Sequence, residues 1–84
     1  MSIISEKNLE KIKSNVLRVL YDESPSHISA NYIADVEARD KQFILKILKD
    51  FEKKKIVRNT TKSFSRKSFW IMTDEAYVKY KELL

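Results

Sequence analysis

The chain has 84 residues, 43% of them hydrophobic and 35% charged, with a net charge of +5 at pH 7. That length predicts one domain, residues 1–84, and the balance of apolar and charged residues suits a globular chain, not a disordered one. Cysteine and glycine are absent and proline occurs once, at Pro25, which excludes disulfides, thiolate metal sites and the glycine-dependent phosphate loops and nucleophile elbows of several enzyme classes.

The start, MSIISEKN, offers only Ile3 and Ile4 as an apolar pair, too little for a secretory segment. Ser5 then caps a first helix over residues 6–21, with Leu9, Ile12, Val16, Val19 and Leu20 as its buried stripe, widened by Leu17. Residues 22–26, with Pro25, read as a loop that leaves the adjacent carboxylates Asp22 and Glu23 in solvent. His27 and Ile28 form a short extended piece. Ser29 caps a second helix over 30–37, with Ile33 and Ala34 inward and Tyr32 partly buried.

Glu37, Ala38 and Arg39 make a turn, and Asp40 caps a third helix over 41–54. Ile44, Ile47, Leu48 and Phe51 recur at i, i+3, i+4 and i+7 and share its inner face. Lys53, Lys54 and Lys55 complement the negative end of the helix dipole. Residues 56–72 read as a hairpin: a strand over 56–61, a basic, serine-rich tip over 62–67, and a returning strand over 68–72. Alternation turns either Phe69 and Ile71 or Trp70 and Met72 to the core. Thr73 caps a last helix over 74–84, striped by Tyr77, Tyr80 and Leu84. The longest strongly apolar run, Phe69 to Met72, is far too short to span a bilayer.

The charge is uneven. Residues 1–38 carry four basic and six acidic side chains, residues 39–73 eleven and three, and residues 74–84 two and three. The whole positive excess therefore lies on the third helix and the hairpin, and charge concentrated in this way attracts a polyanion.

The order helix, turn, helix, hairpin resembles the winged helix-turn-helix domains of small prokaryotic and viral transcription regulators. Ile33, Ala34 and Asp35 resemble the Leu-Ala-Glu of the second helix in that family, and Asp40 stands at the polar cap of the recognition helix. Leu48, Phe51, Glu52 and Lys53 resemble the Leu-x-x-Leu-Glu-Lys that closes it. Ile56 and Val57 match the pair leading into the wing; Trp70, Met72 and Thr73 match the aromatic-x-Leu-Thr that leaves it. The resemblance covers about residues 8–84 and implies an α+β, mostly helical fold: a three-helix core, a two-stranded β wing and a C-terminal helix. It also implies that Trp70 and Met72 face inward. Lys55 departs from the pattern by standing where relatives carry glycine, so it must adopt a backbone shape that glycine takes more easily. MarR-like and PadR-like regulators have longer helices outside the winged core, and no subfamily is assigned.

In such a fold the third helix enters the major groove, so Arg39, Lys41, Gln42, Leu45, Lys46 and Lys49 become candidate DNA-binding residues. Leu45 fits a thymine methyl or the edge of the core equally well. On the wing the candidates are Arg58, Lys62, Arg66 and Lys67, with Phe64 at the tip folded back, wedged against DNA or touching a partner. Each charged face has a plainer reading as a solvated surface. Tyr77, Tyr80, Leu83 and Leu84, with Ile3, Ile4 or Leu9, are candidates for a homodimer surface, against the plainer reading that the last helix covers the core. The lone His27 and the absence of cysteine leave no metal site, no cofactor and no enzyme chemistry to expect. The expected function is a sequence-specific double-stranded DNA-binding transcription regulator, a repressor, cytoplasmic and nucleoid-associated when bound, with no membrane partner and no identifiable small-molecule effector. The alternative is a winged-helix protein-interaction module of a larger complex.

Overall fold

A computed structural model of the chain describes residues 5–62 and 65–84. In order come α1 (Glu6–Glu23), β1 (Ile28–Ser29), α2 (Ala30–Glu37), α3 (Lys41–Lys53), β2 (Val57–Asn59), β3 (Phe69–Met72) and α4 (Asp74–Leu83). The strands form one antiparallel sheet in the order β1-β3-β2. The architecture is α+β and mostly helical, with the β2–β3 hairpin as the wing.

Each helix opens on the polar residue that its sequence nominates. The hydroxyl of Ser5 accepts the Asn8 N–H at 3.3 Å, and that of Ser29 accepts Tyr32 N–H at 3.0 Å. The Asp40 carboxylate accepts Gln42 N–H at 3.1 Å, and the Thr73 hydroxyl accepts Ala76 N–H at 3.2 Å. First-turn N–H groups have no partner inside a helix, so these bonds fix where each one starts.

The far ends of α1 and α3 differ from expectation, while α2 ends at Glu37 as its sequence predicts. α1 runs on to Glu23, which brings Asp22 into its last turn, where it meets Arg18 at 3.8 Å. Lys54 becomes the cap of α3 instead of its last residue. β2 and β3 are shorter than the expected strands, and β1 joins them, so the sheet has three strands, not two.

Two non-glycine residues take positive φ. Ala38, at φ 52° and ψ 46°, ends α2. The N–H groups of Ala38 and Arg39 fold back onto the carbonyls of Asp35 (3.2 Å) and Ala34 (2.9 Å). Lys55, at φ 61°, reverses the chain between α3 and β2, as its departure from the glycine pattern implied.

The core joins Ile12, Val16 and Leu20 of α1 to Ile33 and Ala34 of α2 and to Ile44, Ile47, Leu48 and Phe51 of α3. The sheet closes it. Ile28 pairs with Trp70, and Val57 with Met72, on the inner face. Trp70 is 1% exposed, and its indole N–H donates to the Ser68 hydroxyl at 3.0 Å. Leu9, Leu17 and Val19 only flank this core.

Ile71, on the opposite face of β3, is also buried (8% exposed), beside a pocket it lines with Ser24, Pro25, Met72, Asp74 and Tyr77. Tyr32 is 44% exposed, more than expected, since it lies on the side of α2 away from Ala30, Ile33 and Ala34. α4 is fastened by aromatic contact: Tyr21 stacks on Tyr77 with ring centroids 4.7 Å apart and meets Tyr80 at 4.9 Å. Leu84, assigned from the sequence to the inner stripe, is 77% exposed beyond the end of α4. Among the described residues, no helix is long and apolar enough to cross a membrane.

Candidate nucleic-acid interface

α3 has a sharply two-sided sequence. Its inner face carries the four buried apolar residues. Gln42, Lys46, Lys49 and Lys53, spaced i, i+4, i+7 and i+11, are all exposed and form a row on the opposite side. Arg39 is exposed in the turn before α3. Lys41 and Leu45 stand on a flank and are half-buried, and Leu45 packs against the core. Lys53 is not among the sequence candidates for DNA contact, although its spacing from Lys46 and Lys49 carries the signal that it extends the row.

The wing adds the other cations. Arg58 projects from β2 opposite Ile71, at the root of the hairpin and not at its tip. It shares an open groove of about 450 Å³ with Glu52, Lys55, Val57, Asn59 and Thr73, so the wing root adjoins the last turn of α3. Lys62, Arg66 and Lys67 are exposed nearer the tip. There the Ser65 hydroxyl both donates to the Lys67 carbonyl (2.7 Å) and accepts the Lys67 N–H (3.2 Å), which shapes the turn behind Arg66. Phe64 lies outside the described residues.

Among the described residues, four cations away from this face meet carboxylates: Lys13, Arg18, Lys54 and Lys79. Asp50, on the flank of α3 toward α1, takes Lys54 at 3.0 Å and Lys13 at 4.0 Å. Hydrogen bonding from Lys54 holds the Asp50 carboxyl below its ordinary pKa, against the opposing effect of desolvation, and the charges of Lys54, Lys13 and Lys53 add to the lowering. Arg18 meets Asp22, and Lys79 meets Glu75 at 3.7 Å. Among the described residues, none of the nine cations at 39, 41, 46, 49, 53, 58, 62, 66 and 67 has a carboxylate within ion-pair distance. A charge left unpaired on a protein surface remains available to an external anion.

The four residues considered for self-association do not form one uniform surface. Tyr77 and Tyr80 are half-buried against Tyr21, while Leu83 is 84% exposed. Leu83 borders a small apolar groove of about 180 Å³ with Leu17, Ile56, Met72, Ala76, Lys79 and Tyr80. Ile3 and Ile4 lie outside the described residues. Among the described residues, no group of three or more His, Asp and Glu side chains is placed to hold a metal ion.

No protein-family model matches the chain, and no curated protein matches it significantly. Solved structures do. AF1382 from Archaeoglobus fulgidus superposes with a TM-score of 0.77 at 21% identity, over 88% of this chain and 81% of that one. MepR, described as a transcription regulator of the Staphylococcus aureus multidrug efflux pump MepA, gives 0.74 at 18% identity over 92% of this chain. A mutant of Lactococcus lactis ZitR gives 0.73 at 18% identity over 87%. This chain spans 60% of that MepR chain and 49% of that ZitR chain. Likeness at such low identity speaks for the fold alone, and with the element order and the sheet it establishes that fold as a winged helix-turn-helix.

Proposed function

We propose that the chain is a double-stranded DNA-binding transcription regulator, with α3 in the major groove and the wing along the backbone or in the minor groove. The observation that carries this reading is the row Gln42, Lys46, Lys49 and Lys53: exposed, opposite the core and, in its three lysines, free of ion pairs among the described residues. A 13-residue helix is about 20 Å long and fits a major groove about 12 Å wide. Gln42 suits an adenine edge, Arg39 and the lysines suit guanine or phosphate, and Leu45 suits a thymine methyl. Arg58, Lys62, Arg66 and Lys67 suit phosphates beside the groove. MepR has been solved in complex with DNA, and that structure superposes on this chain with a TM-score of 0.75.

The finer parts of the proposal are repression, a homodimer and a cytoplasmic location, without enzymatic activity or a small-molecule effector. The apolar groove beside Leu83, with the exposed Leu84 next to it, supports pairing through α4, and a two-fold dimer suits two-fold half-sites. The same groove favours the second reading, a protein-interaction module. A stable hetero-complex with no retention on heparin would support that reading over the first. Selection of bound duplexes from a random library tests the first directly. It should return a preferred site, with affinity reduced by Lys46→Ala, Lys49→Ala and Arg66→Ala. Unchanged affinity in all three variants removes its basis.

A further inference from the structure

Both limbs of the wing are fastened to one short stretch, residues 27–30. On the β3 limb, Ile28 and Ser29 pair with Trp70 and Phe69, and the Ala30 N–H donates to the Ser68 carbonyl at 3.1 Å. On the β2 limb, Nδ1 of His27 lies 2.8 Å from Oγ1 of Thr60, a residue 33 positions away. Because β1 and β2 flank β3 on opposite sides, this bond ties the two outer edges of the sheet together.

The tie matters because the regular ladder stops early. The Thr60 N–H still donates to the Phe69 carbonyl at 2.8 Å. The Phe69 N–H turns instead to the Thr61 hydroxyl at 3.0 Å, and the Thr61 N–H to the Asn59 side chain at 2.9 Å. Side chains, not a strand ladder, therefore hold the limb that leads to Lys62. The stretch 27–30 also runs straight into α2 and, through the Ala38 turn, into α3. It is the common footing of the wing and of the exposed row on α3.

We infer that His27 is a positioning residue for the wing. Its bond to Thr60 fixes the angle between the β2 limb and the helical body, and so the reach of Lys62, Arg66 and Lys67. The consequence for DNA rests on the function proposed above; the brace itself does not. The chemistry sets which substitutes work. Asparagine carries a hydrogen-bonding atom at the δ position, where histidine has Nδ1, whereas glutamine carries it one bond further out. Thr60→Val keeps the branched shape and removes the hydroxyl.

The chain has no cysteine, so Glu52→Cys with Lys62→Cys gives a clean pair of sites for spin labels on α3 and the wing. Without DNA, the label-to-label distance distribution should be narrow in the parent. It should broaden with His27→Gln and with Thr60→Val, and return to the parent width with His27→Asn. Equal widths in the parent, His27→Gln and Thr60→Val overturn the brace, and if His27→Gln fails to fold, Thr60→Val decides. With duplex and no labels, the log–log salt slope should be shallower by about 1–2 in the Gln and Val variants, for one or two lost phosphate contacts, and unchanged in His27→Asn. An unchanged slope in variants whose distances broaden overturns the consequence for DNA. A parent that binds no duplex overturns the function proposed above, while the distances still decide the brace.

Discussion

The Asp50 carboxylate holds the Lys54 ammonium at 3.0 Å, one turn along the C-terminal end of α3. With Lys13 at 4.0 Å from the same oxygen, it gathers two cations onto the flank facing α1. The outer row keeps its lysines unpaired among the described residues, so a single carboxylate separates a structural ion-pair cluster from a surface open to anions.

Asp50 should therefore influence stability more than binding. Its folded-state pKa lies below the ordinary value of 3.8, chiefly through the Lys54 hydrogen bond. A lowered carboxyl pKa stabilises the fold at pH values above that of the unfolded chain, and the benefit is lost as the pH falls through the folded value. Asp50→Asn should melt at a lower temperature than the parent at neutral pH, by a small margin because the pair is partly exposed. The gap should close on acidification below 3.8, and duplex affinity should not fall. Thermal melts across an acid series check this.

Tyr21 gives the opposite dependence. Desolvation, then hydrogen bonding and charge interaction with Tyr77, raise its phenol above the ordinary 10.0. The protonated form is favoured in the fold, so the contribution is complete below pH 10.0 and is lost as the pH rises through the folded value. Ultraviolet titration should find one phenol ionising late. Tyr21→Phe should remove that late step and flatten the alkaline decline in stability.

Lys55 holds φ at 61° without being glycine. The left-handed region costs a residue with a Cβ roughly 1–2 kcal/mol, offset in part by the chain entropy that glycine loses on folding. Lys55→Gly should raise unfolding stability by about 0.5–1 kcal/mol in urea titrations. Lys55→Val should lower it, since a β-branched side chain tolerates positive φ poorly.

Trp70 seals the inner face of the sheet at 1% exposure. Trp70→Ala should cost about 3–5 kcal/mol, a large share of what a domain of this size possesses. Urea unfolding monitored by circular dichroism should show a population already partly unfolded in buffer.

Local chemistry made much of this legible from sequence. Ser5, Ser29, Asp40 and Thr73 announce their helices because the bonds they make span only two or three residues. The inner face of α3 is visible because its period is helical. The features that the sequence does not show, among them the pairing of the extended piece at Ile28 into the sheet, depend on distant partners. β1 is two residues long, too short for any alternation, and exists only because Trp70 and Phe69 arrive beside it. Ile71 shares a pocket with Ser24 and Pro25, at the start of the α1–β1 loop, and with Asp74 and Tyr77 of α4. The bond between His27 and Thr60 joins residues that no local pattern connects. At the interface the shared face of Gln42, Lys46, Lys49 and Lys53 is also readable from helical spacing, whereas the absence of ion pairs along it, among the described residues, is a tertiary fact. Lys53 escapes the sequence candidates for contact because a cation near a helix end has a sufficient explanation in the dipole.

The most direct test of the central claim is the salt dependence of binding to a selected duplex, for the parent and for a Lys46→Ala, Lys49→Ala, Arg66→Ala triple variant. If about five cations meet phosphates, log affinity should fall against log salt with a slope near −4 to −5. The triple variant should bind more weakly, with a slope shallower by about 3. Affinity that is insensitive to salt, or equal in parent and variant, would contradict the assignment of the α3 row and the wing as the surface that meets DNA.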